Sequence, residues 1–309
     1  MIVTVTPNPS VDRTVFIDAL RQGQIMRSTK SWSEPSGKGV NVSLALKAHD
    51  RPTVAVLPIG GSAGAHLADM LNRAELEYEP VPIAGEVRIN ISLVQPDGVV
   101  TKINEQGPAL SDAESQALLD AARRYARPGK WLAGCGSLPG GLSDDYYGRL
   151  VESGHHVGAK VVIDTSGPAF VKALEASPDL IKPNSDELAE AVGGTVATFG
   201  DVVDAAQELR ARGARSVLVS LGADGALLVT ATRVVHGIAP VDKVVSTVGA
   251  GDAMLAGYLC ATAETDDALG TALAWGAAAV QHHGTLFAPT ANPVSVTISE
   301  TIPTRQKLS

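Results

Sequence analysis

Short β-branched runs alternate with longer Ala- and Leu-rich stretches along most of the chain. Runs at 2–6, 53–57, 131–133, 160–164, 180–182 and 216–220, each followed by a segment of helical length, predict βα units on a parallel sheet. Local signals agree. Ser111-Asp112-Ala113-Glu114 has capping-box spacing before a helical stretch at 117–125, and Asn184-Ser185-Asp186-Glu187 places caps and acidic residues ahead of 188–192. Two regions break the rhythm. Residues 13–29 read as two extended pieces without a helix, while 87–95 and 99–104 read as a hairpin around Pro96-Asp97-Gly98. Together they suggest a small β-structured lid over the sheet edge, a cover that would keep water out; the alternative is two surface hairpins with no closing role. No repeat, low-complexity tract or linker interrupts the chain, so 1–309 reads as one α/β domain with a lid from about 12–34 and 84–106.

Composition narrows the class. At 309 residues and 45% hydrophobic content the chain can bury a sizeable core without staples. Cys135 and Cys260 stand far apart, which excludes a disulfide framework or a cysteine zinc site and fits a reducing compartment. The first residues lack a basic, then apolar, leader pattern, and no stretch reaches the ~18 apolar residues of a membrane span; the expectation is a soluble, cytoplasmic protein with no membrane partner. A net charge of −8 argues against a nucleic-acid partner, and 4% aromatic residues argue against base-stacking platforms. Any phosphate bound belongs to a small ligand.

The most informative stretch is Ser246-Thr247-Val248-Gly249-Ala250-Gly251-Asp252. Two glycines and a small residue directly before a helix let backbone N–H groups converge, and the helix dipole adds to them, so Gly249, Ala250 and Gly251 predict an anion hole. Asp252 falls in the first turn beside it, where a carboxylate can take a hydroxyl proton as phosphoryl transfer begins. A glycine turn with Asp252 as a plain helix-start residue is the alternative. Ser36-Gly37-Lys38-Gly39-Val40-Asn41-Val42 opens a second helix, over 40–49. It is not a Walker A loop: Trp32 stands at the first glycine position and Gly39 at the hydroxyl position. Lys38 supplies a point charge for phosphate and Asn41 can bond sugar hydroxyls, unless Lys38 is a surface residue at a helix start.

Gly134-Cys135-Gly136-Ser137-Leu138-Pro139-Gly140 follows a strand, but its Pro-Gly-Gly turn falls where a dinucleotide fingerprint needs a helix, which excludes hydride transfer. Lys182-Pro183-Asn184 closes a strand where α/β sheets bind ligands, with Glu187 either holding Mg²⁺ through water or serving as a solvated cap. Ser220-Leu221-Gly222-Ala223-Asp224-Gly225 turns between two strands, as a close approach to a nucleotide phosphate or as an ordinary loop. The pairs His155-His156 and His282-His283 lack a carboxylate at ligand spacing and read as non-metal residues, and Trp131 and Trp275 read as core.

Taken in order, Asn8-Pro9-Ser10-Val11-Asp12, Ser36 to Val42, Gly136-Ser137-Leu138-Pro139, Lys182-Pro183-Asn184 with Glu187, Ser220-Leu221-Gly222 with Gly225, and Val248 to Asp252 resemble the ribokinase-like carbohydrate kinase family, over residues 1 to about 290. Within it the likeness is to the branch of 1-phosphofructokinases and tagatose-6-phosphate kinases. That resemblance implies a doubly wound, mostly parallel sheet flanked by helices, with a β-lid that often forms a homodimer interface. It implies Asp252 as catalytic base and Gly249, Ala250 and Gly251 as anion hole. Asp12, Gly37, Lys38, Asn41, Arg88 and Asn90 match sugar-phosphate positions. Lys182, Asn184, Glu187, Ser220, Gly222, Gly225 and Gly251 match the ATP and Mg²⁺ side, and Ser246 and Val248 fall where some relatives bind a monovalent cation. Arg88-Ile89-Asn90-Ile91, Thr101-Lys102-Ile103-Asn104 and Val245 to Val248 look more like the enzymes of fructose 1-phosphate. Pro35-Ser36 departs from the usual glycines, and Gly284-Thr285-Leu286-Phe287-Ala288-Pro289 departs from the family's adenine-side loop. Tagatose 6-phosphate or fructose 6-phosphate kinases are the neighbouring alternatives. A sugar-phosphate sensor without catalysis is the alternative of another class, and it would have no use for Asp252.

Overall fold

The computed structural model describes residues 1–262, 267–282, 284 and 294–309. In chain order it carries β1 (Ile2–Val5), β2 (Ser10–Phe16), β3 (Lys30–Ser36), α1 (Lys38–Ala48), β4 (Thr53–Ile59), α2 (Gly61–Arg73), β5 (Tyr78–Pro82), β6 (Arg88–Val94), β7 (Val100–Ile103) and α3 (Asp112–Tyr125). Then follow β8 (Trp131–Cys135), α4 (Tyr146–His156), β9 (Lys160–Asp164), α5 (Gly167–Glu175), β10 (Leu180–Ile181), α6 (Ser185–Val192), α7 (Phe199–Ala211), β11 (Val217–Ser220), β12 (Ala226–Val229), β13 (Val234–Ile238), α8 (Ala250–Ala261), α9 (Ala268–Ala279) and β14 (Thr297–Ser299).

The larger sheet has the order β14-β13-β12-β11-β10-β9-β8-β1-β4-β5. From β5 to β11 every pairing is parallel, and β12, β13 and β14 extend it antiparallel. The winding reverses at β1, outward to β4 and β5 on one side and to β8 through β11 on the other. Such a switch point leaves a crevice at the carboxyl ends of the strands. Parallel strands need cover on both faces, and the apolar runs supply it. Val3, Val5, Val161, Ile163, Val217 and Val219 pack with residues of α3, α4, α5 and α7. Ile2, Ala133, Val162, Leu180 and Leu218 pack with α1, α8 and α9. Helices α8 and α9 approach closely through small residues: a Cβ on Gly257 would lie 2.8 Å from the Thr271 carbonyl oxygen.

The smaller sheet has the order β3-β2-β6-β7, with β2 antiparallel to β3 and parallel to β6, and β6 antiparallel to β7. The hairpin around Pro96-Asp97-Gly98 lies where the sequence predicts it. The 13–29 reading needs correction: pairing ends at Phe16, a turn and coil run to Thr29, and the second strand is Lys30–Ser36. Residues 20–30 are largely polar, with Gly23 at φ 75°, and offer no alternating apolar face to pair. The Phe16 and Trp32 rings, 4.9 Å apart, close the sheet instead. Its base is anchored by Val11 and Val87, buried with Val40, Leu44 and Leu67. Among the described residues no helix is long and apolar enough to cross a membrane.

Candidate active site

Five parallel strands end in one crevice, and each delivers a polar residue at or just past its last apolar position. These are Asn8 beyond β1, Ser137 beyond β8, Asp164 closing β9, Lys182 beyond β10 and Ser220 closing β11. From the opposite layer, α1 and α8 pack against each other and aim their N-termini at the same place. Neither helix has a side-chain cap. Gly37 (φ 125°) and Gly249 (φ 77°) precede them in a backbone region that favours glycine. At Gly37 a Cβ would also meet the Thr6 side chain at 2.7 Å.

These elements assemble a compact charged floor. Lys38 Nζ donates to Asp164 Oδ1 at 2.7 Å and lies 3.4 Å from Glu187 Oε1. Lys182 Nζ is 3.2 Å from Asp164 Oδ2. Asn41 Nδ2 donates to Asp252 Oδ2 at 2.7 Å. Asp164, Lys182, Asn41 and Asp252 are all buried. Burial and then repulsion from Asp164 push Asp252 up from 3.8 to about 6, against the pull of Lys38, Asn41 and Lys182. Burial opposes ionisation of Asp164, but Lys182 and Lys38 outweigh it and hold its carboxyl below the ordinary range. Burial likewise opposes the charge on Lys38, and Asp164, Glu187 and Asp252 outweigh it, so its pKa is raised. The floor thus holds an ammonium pair clamped by one carboxylate and a second carboxylate poised to exchange a proton near neutrality. The first amides of α8 lack intrahelical partners, as at any helix start. A Cβ on Gly251 would sit 3.4 Å from Lys182 Nζ, so the head of α8 lies beside that ammonium group.

A second group lies at the lid. Asp12 Oδ1 accepts from Ser10 Oγ at 2.7 Å and from Asn90 Nδ2 at 2.9 Å. Arg88 donates from Nη1 to the Glu105 carbonyl and from Nη2 to the Asn8 carbonyl. The side-chain oxygens of Asn41 and Asn90 and Arg88 Nε are buried without a protein partner, as suits a pocket that completes its bonds on a polyhydroxyl ligand.

The third group lies toward β11. Asn184 and Glu187 form a reciprocal capping box at α6, so the Glu187 carboxylate is shared between the Asn184 amide and Lys38. Asn184 bridges to Ser220. Gly222 (φ 60°) and Gly225 (φ 84°) bend the β11–β12 loop, and space beside Gly222 is open. The Val248 amide donates to Ser246 Oγ at 3.2 Å, and the amides of Val245 and Ser246 both reach the Val280 carbonyl.

The sequence-predicted residues Lys38, Asn41, Lys182, Glu187, Gly251 and Asp252 therefore come together, Asp12, Arg88 and Asn90 form the lid group, and Ser220, Gly222 and Gly225 line the loop toward β12. Asp164 had no predicted role, although it links Lys38 to Lys182. Its signal was a carboxylate ending the apolar strand Val161-Val162-Ile163. His155, read as lacking a carboxylate, meets Asp179 at 2.8 Å, where Arg215 also pairs. Trp131 is core, but Trp275 is only partly buried and stacks on His49, with ring centroids 3.6 Å apart. Among the described residues no three His, Cys, Asp or Glu side chains could hold a metal together. His283 and residues 285–289 of the adenine-side reading lie outside the described residues.

A crevice at a switch point, an amide-headed helix carrying a buried carboxylate, and two lysines on its floor define a small-molecule phosphotransferase. Residues 6–291 match the family described as pfkB family carbohydrate kinase, and the chain belongs to that family. It is 38% identical over 259 residues to the 1-phosphofructokinase of Bacillus subtilis (strain 168), covering 84% of each chain. It is 36% identical over 260 residues to the D-tagatose-1-phosphate kinase of Bacillus licheniformis, again covering 84% of each. Among solved structures it resembles Escherichia coli phosphofructokinase-2 in complex with potassium, with TM-score 0.88, 30% identity and coverage of 93% of this chain and 94% of that one. The Arabidopsis thaliana ribokinase complexed with ribose and ATP, at 21% identity and TM-score 0.76 over 92% and 94% of the two chains, shares the fold.

Proposed function

We propose that the chain transfers the γ-phosphoryl group of ATP to the C6 hydroxyl of fructose 1-phosphate, giving fructose 1,6-bisphosphate and ADP, in the cytoplasm. The observation that carries this reading is the Asp252 carboxylate at the head of α8, hydrogen-bonded to Asn41 and beside the Lys38–Asp164–Lys182 cluster. The name of the Bacillus subtilis relative supports the choice of sugar phosphate.

In this reading Asp252 takes the hydroxyl proton as the oxygen attacks phosphorus, and ADP leaves on the opposite side. Asn41 orients the base through one oxygen and leaves the other free for the substrate. The amides of Gly249, Ala250 and Gly251 receive the charge of the moving group, with Lys182 beside them. Lys38 was expected at the phosphate already on the sugar. Its bonds to Asp164 and Glu187 favour a place between that phosphate and the transferring one, leaving Arg88 to grip the former. Asp12, held by Ser10 and Asn90, offers Oδ2 to sugar hydroxyls. Asn184, Ser220, Gly222 and Gly225 form the nucleotide side.

Mg²⁺ accompanying ATP would neutralise phosphate charge, and Glu187 fits a hold through water because its oxygens are already engaged. Ser246 and Val248 are the backbone positions proposed for a monovalent cation, tested by comparing activity in potassium and in sodium. The lid exposes Leu20, Ile25, Met26, Val99, Val100 and Ile103, an apolar set that suits a homodimer; light scattering during gel filtration tests it.

ADP release measured with fructose 1-phosphate, fructose 6-phosphate, tagatose 1-phosphate and tagatose 6-phosphate tests the substrate, with the highest kcat/KM expected for the first. Preference for a tagatose phosphate would favour the second reading, supported by the Bacillus licheniformis relative. Absence of ADP with every sugar phosphate would refute the kinase.

A further inference from the structure

Three of the four crossings between the two sheets meet at one residue outside the charged floor. The chain passes upward from β1 into β2 through Asn8, upward again into β6 at Arg88, and back down from β7 through Gln106 and Gly107. Asn8 Nδ2 donates to the Gln106 carbonyl at 2.9 Å on the return crossing. The same nitrogen is 3.3 Å from Ser137 Oγ, on the loop after β8. Its main-chain carbonyl accepts from Arg88 Nη2 at 3.1 Å, and Arg88 Nη1 reaches the Glu105 carbonyl at 3.0 Å. Gly107, at φ 89°, lies so close to Asn8 that a Cβ there would stand 2.2 Å from Asn8 Oδ1. Asn8 is 4% exposed.

We propose that Asn8 is a positioning residue, a clasp that fixes the lid against the sheet and sets Arg88 and the Ser137 loop relative to Asp252. This rests on the kinase reading for its kinetic consequences, although the clasp itself does not. A carboxamide is required because both side-chain bonds are donated by one NH₂ group to acceptors on two different segments. An isosteric carboxylate fills the same space, donates nothing, and faces the Gln106 carbonyl with a repelling oxygen. Loosening the clasp lets the lid stand open, so that water competes with the sugar hydroxyl for the phosphoryl group and the sugar phosphate is held less well.

The test compares Asn8→Asp, Asn8→Ala and Ser137→Ala in the full-length protein. For Asn8→Asp the expectation is a KM for fructose 1-phosphate raised about tenfold, KM for ATP within about twofold, and ADP formed in excess of sugar bisphosphate where the parent gives one for one. Hydrogen exchange of residues 88–106 is expected to accelerate in both Asn8 variants, with melting of the main sheet unchanged. Ser137→Ala, which removes the longer bond alone, is expected to show the same pattern more weakly. Asn8→Asp with parental KM, one-for-one coupling and unaltered lid exchange would overturn the proposal. If the parent phosphorylates no sugar phosphate, the function reading fails, while faster lid exchange in Asn8→Asp still upholds the clasp and unchanged exchange still rejects it.

Discussion

The floor of the crevice and the lid above it treat polar groups in opposite ways. On the floor, Asp164 is fully buried, Lys38 and Lys182 converge on it, Glu187 faces Lys38, and Asp252 is held by Asn41. In the lid, β6 is half-buried along its whole length, Arg88 reaches main-chain carbonyls, and Val99, Val100 and Ile103 face solvent. Charge neutralised inside a packed core is set before any ligand arrives. A thin sheet with one polar face depends on what it closes upon. Substitutions on the floor should therefore lower kcat, and substitutions in the lid should raise KM.

The largest effect expected is that of Asp252→Asn, which keeps shape and the bond to Asn41 but removes the proposed base: kcat should fall by about 10²–10⁴ in steady-state ADP assays with KM for the sugar phosphate nearly unchanged. Asp164→Asn breaks the contrast from within the floor. It leaves buried Lys182 without its carboxylate and half-buried Lys38 with Glu187 alone, and denaturant unfolding should show a loss of about 3 kcal/mol. Arg88→Ala tests the lid, with KM for the sugar phosphate raised about tenfold and kcat within about threefold in the same assays.

One effect runs the other way. The folded pKa of Asp252 is raised from 3.8 to about 6, so its contribution to stability is fully present below about 3.8 and lost as pH rises through about 6. Asp252→Asn has no such loss, and at pH 7 it should be more stable than the parent by on the order of 2 kcal/mol in denaturant unfolding.

Much of this contrast was legible in the residues. The glycine-led starts at Gly37 and Gly249 marked both uncapped helices because only glycine suits those backbone angles beside a ligand space. The strand-end positions Lys182 and Ser220 followed from the βα rhythm. Asp164 did not, since an aspartate after Val161-Val162-Ile163 looks like any strand end until the fold brings Lys38 and Lys182 to it from 126 and 18 residues away, the differences 164 − 38 and 182 − 164. The start of β3 was misplaced for a different reason: Lys30–Ser36 has little apolar alternation of its own, and its position follows from pairing with Ser10–Phe16. Likewise Asn41 read as a sugar ligand, whereas its bond to Asp252 depends on the contact between α1 and α8.

The central claim is that the ionised carboxylate of Asp252 performs the proton transfer. Single-turnover phosphoryl transfer, with saturating ATP and fructose 1-phosphate, should be measured for the parent and for Asp252→Asn between about pH 5 and 9. Both enzymes share the ionisations of the substrates, so the ratio of their rates isolates this one group. The ratio should climb about tenfold per pH unit below about 6, the value to which burial and Asp164 raise the carboxyl, and level off above it. A ratio that is flat across the range, or close to one throughout, would contradict the account.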